Sequence, residues 1–214
     1  MIPKTIHWCW FGPNKPTKLS NHCINTWHVC NPEYEIKKWT ESNCQELFEI
    51  PFFKKAIEKK MWAFASDYAR LWVLYKFGGI YLDTDMEVIK PLDLFLNNKC
   101  FFGKEDNIHI SAGVIGAEKG SKVIKSVLDY YNNSNGSFIN IPMVLTSVIN
   151  KIDDSVTIYE PSFFYPYNPN DNSSLAQFTY HSVKENTFAI HHWEKKWKLN
   201  FYQRLVRKWN RRNL

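Results

Sequence analysis

The sequence of 214 residues contains no apolar run close to the roughly 18 residues that a helix needs to cross a bilayer. Its first residues, MIPKTIHWCW, also lack the basic segment followed by an apolar segment that is typical of a secretory signal. We find no internal repeat and no interdomain linker. These absences argue against a membrane-spanning chain and a repeat array, and they predict one domain in the cytoplasm.

The sequence also lacks a Cys-x-x-Cys pair, and its cysteines are odd in number. Without an export signal, such a set favours reduced, mostly buried thiols over a disulfide framework. A hydrophobic fraction of 44% and an aromatic fraction of 16% are typical of a folded globular protein. The five cysteines are Cys9, Cys23, Cys30, Cys44 and Cys100.

Excess basic charge is missing from most of the chain, although the net charge is +6. Residues 195–214 contain eight basic side chains and no acidic one, so the preceding 194 residues carry 19 positive and 21 negative charges. A nucleic-acid-binding domain more often spreads basic charge over a folded face. We therefore expect no nucleic-acid partner.

Apolar periodicity and turn residues predict strands that alternate with helices. This alternation favours an α/β/α sandwich around a mainly parallel sheet. A helix at 61–77 should be buried on nearly all sides and should end at Gly78-Gly79, where a strand begins at once. We predict further strands at 3–12, 34–40, 100–103, 111–117, 157–159 and 187–191, and further helices at 45–60, 121–131 and 143–150.

The segment GGIYLDTDMEV, residues 78–88, runs from an apolar strand into two carboxylates. In an extended chain, residues i and i+2 project from the same side, so Asp83 and Asp85 are predicted to lie side by side. Two adjacent anions repel each other. A divalent cation with oxygen ligands is the expected partner that offsets this repulsion.

Three kinds of Asp-x-Asp site were considered. A calcium loop of the EF-hand type needs glycine at its sixth position, where this chain has Val88. A haloacid-dehalogenase-like phosphatase would have threonine or valine two residues after the second aspartate, where this chain has Glu87. A nucleotide-sugar glycosyltransferase needs a divalent cation on the donor diphosphate, and two carboxylates at a strand end suit that need.

The buried helix also contains two charged residues on one face. Asp67 and Arg70 are three positions apart, so their side chains are neighbours on a surface that should be largely dry. The pair is either a structural ion pair or part of a ligand site. Its position next to the carboxylate strand favours a ligand site.

Five segments together resemble glycosyltransferase family 32, the DXD enzymes that include capsular-polysaccharide and initiating mannosyltransferase types, and more distantly the clostridial glucosylating toxins. The segments are IPKTIHWCWFG at 2–12, PEYEIKKW at 32–39, ASDYARLWVLYKFGGIYLDTDMEV at 65–88, ISAGVIGAEKGS at 110–121 and AIHHWEKKW at 189–197. The segment at 65–88 is highly specific.

The resemblance implies a nucleotide-sugar donor site. Trp10 would stack on the nucleotide base, Asp67 and Arg70 would bind hydroxyls of the donor, and Tyr81 would contact the leaving phosphate. The family often has Ser-Trp where this chain has Lys196 followed by tryptophan. Lys196 is therefore a candidate contact for the diphosphate, with a solvated lysine as the alternative.

The resemblance also implies a divalent cation, Mn²⁺ or Mg²⁺. Asp83 would contact ribose and metal, and Asp85 would bind the metal directly. Together with Asp67 and Arg70 they form the predicted catalytic set. A late strand should supply a histidine as third ligand; His191 and His192 face opposite sides of a strand, and we choose His191.

The family implies a GT-A type fold and a retaining hexosyltransferase that uses a glycan or lipid-linked glycan acceptor in polysaccharide synthesis. A front-face displacement, in which the departing phosphate helps to deprotonate the acceptor, is the working mechanism. A nucleotide-sugar-binding protein of the same fold without turnover is the first alternative, and a haloacid-dehalogenase-like phosphatase is the second.

We divide the chain into a GT-A domain at 1–198 and a basic amphipathic helix at 199–214. Apolar and basic side chains of the tail fall on opposite faces of a helical projection. This pattern predicts a helix at an anionic membrane surface, which would place the enzyme at the inner face of the membrane. The alternative is a helix that packs its apolar face on the domain.

Overall fold

A mainly parallel sheet forms the centre of the computed structural model, which describes residues 1–134, 137–152, 156–170 and 177–194. The strands are β1 (Thr5–Cys9), β2 (Glu35–Trp39), β3 (Gly79–Leu82), β4 (Met86–Val88), β5 (Cys100–Lys104), β6 (Ile110–Ala117), β7 (Val156–Tyr159) and β8 (Ala189–His191). Six of them form one sheet in the order β2-β1-β3-β6-β5-β7, in which only β6 among the described strands runs against its neighbours. Strands β4 and β8 pair separately as an antiparallel ribbon.

Helices cover both faces of the large sheet. They are α1 (Lys18–Cys30), α2 (Pro51–Glu58), α3 (Trp62–Phe77), α4 (Lys122–Asn133), α5 (Ile141–Ile149) and the short α6 (Pro161–Phe164). In β3, Tyr81 packs into the apolar cluster of α2 to α5, whereas Ile80 and Leu82 pack into the cluster of α1, α6 and the β4–β8 ribbon. Successive side chains of a strand point to opposite faces, so two cores sandwich the sheet. The predicted α/β/α architecture is confirmed.

Helix α3 is buried on nearly all sides, as predicted, and ends at Phe77; Gly78 follows the helix, and Gly79 begins β3. Gly78 and Gly79 have φ angles of 68° and 111°, which favour glycine. A Cβ atom on Gly79 would lie 2.7 Å from the carbonyl oxygen of Thr5 and 2.9 Å from Nε2 of His7. The glycine pair therefore lets the end of α3 lie directly against β1.

Three predicted elements differ from the observed ones. The first strand is shorter than 3–12 and ends before Trp10. The predicted helix at 45–60 is a 3₁₀ turn at Gln45–Glu49 followed by α2, because Pro51 is a suitable first residue for a new helix. The carboxylate strand stops at Leu82, before the first aspartate. The remaining predicted elements are present with small differences at their ends.

Two predictions concern residues near the C-terminus of the sequence. The tail at 199–214 and Lys196 lie outside the described residues. No helix within the described ranges is both long and apolar enough to cross a membrane. All five cysteines are free thiols, and four of them are buried.

Candidate active site

A tight turn, rather than a continuous strand, brings the two carboxylates together. The N–H of Asp83 donates to the carbonyl oxygen of Gly113 in β6 (2.8 Å), which continues the pairing of β3 for one residue. The N–H of Met86 then donates back to the carbonyl oxygen of Asp83 (2.9 Å) and closes the turn. The prediction that an extended backbone aligns Asp83 and Asp85 is wrong in this respect. Both carboxylates nevertheless point into one site.

The third member of the cluster is His191, at the end of β8. Ligand atoms of Asp83, Asp85 and His191 all lie within 4.8 Å of one another. Nε2 of His191 is 3.3 Å from Oδ1 of Asp85, whereas Nε2 of His192 lies 2.7 Å from a Glu87 oxygen. The two histidines therefore face opposite sides of the ribbon, and it is His191 that joins the aspartates.

The cluster is chemically suited to a divalent cation. Two carboxylates with one imidazole are a donor set that Mn²⁺ accepts, and the carboxylates also suit Mg²⁺. Burial opposes a charge on His191, but the adjacent Asp85, with Asp83 and Glu105, outweighs burial and raises the pKa of His191. The imidazole thus lies in a strongly negative environment, as expected at a cation site.

Helix α3 contributes a buried guanidinium to the same site. Nη2 of Arg70 is 2.9 Å from Oδ1 of Asp67, and Nη1 is 3.0 Å from Oδ1 of Asp83. Nη1 also donates to the carbonyl oxygen of Ala112 in β6 (2.8 Å). Arg70 and Asp67 are 5% and 6% exposed, so this ion pair is dry, as predicted. The predicted buried ion pair is present, and Arg70 also joins it to Asp83.

The groups of this network shift the pKa of Asp67 and hold Asp83 in place. Burial raises the pKa of Asp67 to about 7, although Arg70 acts in the opposite direction and Asp83 adds to the increase. Tyr81, expected at the leaving phosphate, is 1% exposed, and its hydroxyl donates to Oδ1 of Asp83 (3.0 Å). The Arg70 guanidinium lies 4.6 Å from the centroid of the Tyr81 ring. Asp83 is therefore held by both an ion pair and a hydroxyl.

A cavity of about 480 Å³ opens above these groups. Its polar lining includes Arg70, Tyr81, Asp83, Asp85 and His191. Aromatic and apolar side chains line other parts of its wall: Trp10, Phe11, Met61, Trp62, Phe64 and Trp193. The structure thus brings together all the predicted site residues that it describes, with Asp67 placed behind Arg70 rather than in the cavity lining.

Two residues of the site were not predicted. Trp193 and Glu194 both line the cavity, and the N–H of Glu194 donates to Oδ2 of Asp85 (2.9 Å). Their signals in the sequence are that they directly follow the two histidines and lie within the family-like segment at 189–197. Trp10, which was predicted, lines the cavity, and its indole N–H donates to the carbonyl oxygen of Asn14 (2.6 Å).

Comparison with known families decides what kind of protein has this site. The family model described as a glycosyltransferase sugar-binding region containing a DXD motif matches residues 17–102, which include Asp67, Arg70, Asp83 and Asp85. Over these residues the chain is similar to the DXD-motif glycosyltransferases. This confirms the family resemblance, and glycosyltransferases of this kind generally use a divalent metal.

Two curated proteins that are similar to this chain have ceramide lipids in their names. The chain is 30% identical over 133 residues to inositol phosphoceramide mannosyltransferase 3 of Schizosaccharomyces pombe, with 59% of this chain and 36% of the relative covered. It is 31% identical over 150 residues to lactosylceramide 4-alpha-galactosyltransferase of Mus musculus, with 61% and 41% covered. The chain spans less than half the length of each of these two relatives.

Solved structures of other glycosyltransferases share the fold. The PaToxG glycosyltransferase superposes with a TM-score of 0.59 at 20% identity, covering 70% of this chain and 68% of that one. A glycosyltransferase involved in glycosylation of the major capsid of PBCV-1 superposes with a TM-score of 0.51 at 14% identity, covering 88% and 93%. The predicted GT-A type fold of the chain is confirmed by these likenesses.

Proposed function

We propose that the protein is a metal-dependent, retaining hexosyltransferase that moves a sugar from a nucleotide-sugar donor to a hydroxyl of a glycan or lipid-linked glycan. One observation carries the proposal: Asp83, Asp85 and His191 converge in the wall of a cavity that Arg70 also lines. The relatives' names support hexose transfer to lipid-borne acceptors, since one is a mannosyltransferase and the other acts on lactosylceramide. We place the reaction in polysaccharide synthesis.

The proposed reaction breaks the bond between the anomeric carbon and the diphosphate oxygen, on the face where the acceptor attacks. A new bond forms from the anomeric carbon to the acceptor oxygen, and the acceptor proton moves to the departing phosphate oxygen. The products are the glycosylated acceptor and the nucleoside diphosphate. A divalent cation held by Asp83, Asp85 and His191 supplies positive charge that stabilises the charge developing on the leaving diphosphate.

The protein's own groups have separate proposed roles. Arg70 holds Asp83 in place through the 3.0 Å ion pair and presents its guanidinium at the cavity, where it binds donor hydroxyls. Asp67 fixes Arg70 from behind through their ion pair. A contact of Asp67 with the donor sugar, which the family resemblance implies, requires the Asp67 carboxylate to become accessible from the cavity. A Tyr81 contact with the leaving phosphate requires its hydroxyl to exchange Asp83 for a phosphate oxygen.

The wall of the cavity suits the remainder of the donor. Trp10 lies at the cavity with its indole N–H satisfied by Asn14, so the ring is fixed and its face can stack on a base. We propose Mn²⁺ as the cofactor, with Mg²⁺ as the alternative, because an imidazole beside two carboxylates is softer than an all-oxygen site.

Thermal unfolding with a panel of nucleotide sugars tests this function. In the presence of Mn²⁺, one nucleotide sugar should stabilise the protein by about 2.7 kcal/mol at a hundred times its Kd. The same donor should then release nucleoside diphosphate during incubation with Mn²⁺. Stabilisation without release would favour the binding protein without turnover. No stabilisation by any nucleotide sugar, with Mn²⁺ or Mg²⁺, would overturn the proposal.

We further propose that residues 199–214 bind an anionic membrane surface and so bring the enzyme to lipid-linked acceptors at the inner leaflet. The support is the sequence of the tail, whose five basic residues beyond 199 would each contribute on the order of 1 kcal/mol near such a surface. The full chain should sediment with phosphatidylserine vesicles at low salt and be released at high salt. Equal binding by a chain truncated at 198 would exclude the tail as the anchor.

A further inference from the structure

The orientation of His191 has an unusual origin. A metal-binding histidine normally donates its second ring nitrogen to a carboxylate, a carbonyl or a water, which fixes the ring. Nδ1 of His191 is buried and has no hydrogen-bond partner among the described residues. Besides the Nε2 contact with Asp85, another contact is therefore needed to fix the angle of the imidazole ring.

Two aromatic rings make that contact. The centroid of the Trp193 ring lies 4.3 Å from that of His191, and the Tyr165 ring meets His191 edge-on at 5.6 Å. Each of these rings is anchored to the backbone. The indole N–H of Trp193 donates to the carbonyl oxygen of Tyr167 (2.9 Å), and the Tyr165 hydroxyl accepts from the N–H of Val114 (3.0 Å).

The backbone at Trp193 is strained in a way that also serves the site. Its φ angle is 53°, which is rare and unfavourable for a bulky residue. The left-handed turn directs the next N–H, that of Glu194, to Oδ2 of Asp85 at 2.9 Å. On the other side of the turn, the N–H of His192 donates to the carbonyl oxygen of Asp85 (3.0 Å). One strained residue is thus connected to two of the three clustered side chains.

We propose that Trp193 is a positioning residue. Its indole sets the angle of the His191 ring, and its left-handed backbone directs the N–H of Glu194 to the carboxylate of Asp85. Asp85 and His191 are thereby held next to each other before a cation binds. This inference rests on the proposed function, because it takes Asp85 and His191 as ligands. It assigns Trp193 no contact with the cation or the sugar donor.

Cation binding without a donor separates the two contributions of Trp193. Mn²⁺ affinity would be measured by isothermal titration and by the electron paramagnetic resonance of free Mn²⁺. Trp193→Ala, which loses the ring and keeps the strain, should bind about tenfold more weakly than the wild type. Trp193→Gly, which loses the ring but adopts positive φ readily, should fall between them. Trp193→Phe keeps a ring and should bind within about threefold of the wild type.

Trp62→Ala is the matched control, since it removes an indole from the same cavity whose ring packs on Gly12 rather than on His191. Its Mn²⁺ affinity should equal that of the wild type. Wild-type affinity in Trp193→Ala, or an equal loss in Trp62→Ala, would overturn the positioning role while leaving the proposed function intact. A wild-type chain that binds neither Mn²⁺ nor Mg²⁺ would overturn the metal centre as well.

A second pair of variants covers the case in which Trp193→Ala does not fold. Trp193→Phe and Trp193→Leu both fill the space, but only phenylalanine offers a flat ring to the imidazole. We expect the phenylalanine variant to bind Mn²⁺ more tightly. Equal affinities of these two variants would overturn the role of the ring.

Discussion

The two halves of the site are built in different ways. In the α3–β3 half, Asp67, Arg70, Tyr81 and Asp83 form one buried network of ion pairs and hydrogen bonds, and all come from a continuous segment. In the β4–β8 half, Asp85 and His191 meet through a ribbon of three residues per strand and a strained turn. The first half is fixed by charge pairing inside the core. The second half is fixed by aromatic packing and backbone hydrogen bonds near the cavity.

This difference predicts a division of labour. Substitutions in the α3–β3 half should reduce the free energy of unfolding as well as activity, because they leave buried charges without partners. Substitutions in the β4–β8 half should reduce cation binding and turnover with little effect on stability. Equal losses of stability for substitutions in the two halves would contradict this division.

The largest expected effect is that of Arg70→Met. Loss of the guanidinium leaves Asp67 and Asp83 without their buried partner, so the free energy of unfolding should fall by about 4 kcal/mol. Urea unfolding measures the loss. The double variant Asp67→Asn with Arg70→Met is the control, and it should be less destabilised because one uncompensated charge is gone. Wild-type stability of Arg70→Met would show that the network does not hold this half together.

Acid should also weaken the α3–β3 half through His7, which lies beneath the glycine pair. Nδ1 of His7 accepts from the Trp39 indole (3.0 Å), so Nε2 carries the proton and donates to the Gly78 carbonyl (2.8 Å). Burial lowers the pKa of His7 from 6.5 to about 4, with the Gly78 hydrogen bond in partial opposition. The unfolded chain therefore binds more protons than the folded chain between these values, and stability is lost as pH falls through that window.

The expected loss from His7 is about 3 kcal/mol between pH 6.5 and pH 4. Unfolding of the wild type and of His7→Gln would be compared across this range. The stability difference between them should shrink by that amount as pH falls, since the variant lacks the titrating group. Asp67 titrates in both proteins and cancels in the difference. A constant difference would contradict the lowered pKa.

In the β4–β8 half, Asp85→Asn should remove function and spare the fold. The amide keeps the shape and can still accept the Glu194 N–H, but it lacks the charge that binds a cation. We expect kcat/KM for nucleoside diphosphate release to fall by about a hundredfold, or about 2.7 kcal/mol, at saturating Mn²⁺. The melting temperature should stay near that of the wild type. Glu87→Gln is the matched control, because the Glu87 side chain contacts His192 rather than the aspartates. Full turnover by Asp85→Asn would exclude the DXD assignment.

The smallest expected effect distinguishes two adjacent histidines. His191→Ala should weaken Mn²⁺ affinity by about tenfold, whereas His192→Ala should leave it nearly unchanged, because His192 contacts Glu87 on the other side of the ribbon. Isothermal titration in the absence of donor measures both. A greater loss in His192→Ala would move the third ligand by one residue and would require β8 to rotate.

Sequence patterns predicted the α3–β3 half well because its chemistry is local. The i, i+3 spacing of Asp67 and Arg70, the glycine pair and the aspartates all follow from short-range periodicity and turn chemistry. The turn at residues 83–86 was missed, since an apolar strand followed by carboxylates looks the same whether or not the backbone bends. His191 came from the family resemblance. Trp193 was missed because no sequence rule predicts a tryptophan with positive φ, which only a surrounding structure can impose.

The β4–β8 ribbon has a consequence for how the protein is made. It joins Asp85 to His191 across 106 positions of sequence, whereas Asp67 and Asp83 are 16 positions apart. During synthesis, a nascent chain that has emerged only as far as β7 already contains Asp83 and Asp85, but it lacks His191. Contacts so distant in sequence form late, after the large sheet has closed most of the intervening loop. The proposed cation site would therefore be completed in one of the last events of folding. A chain that ends before β8 would lack this site.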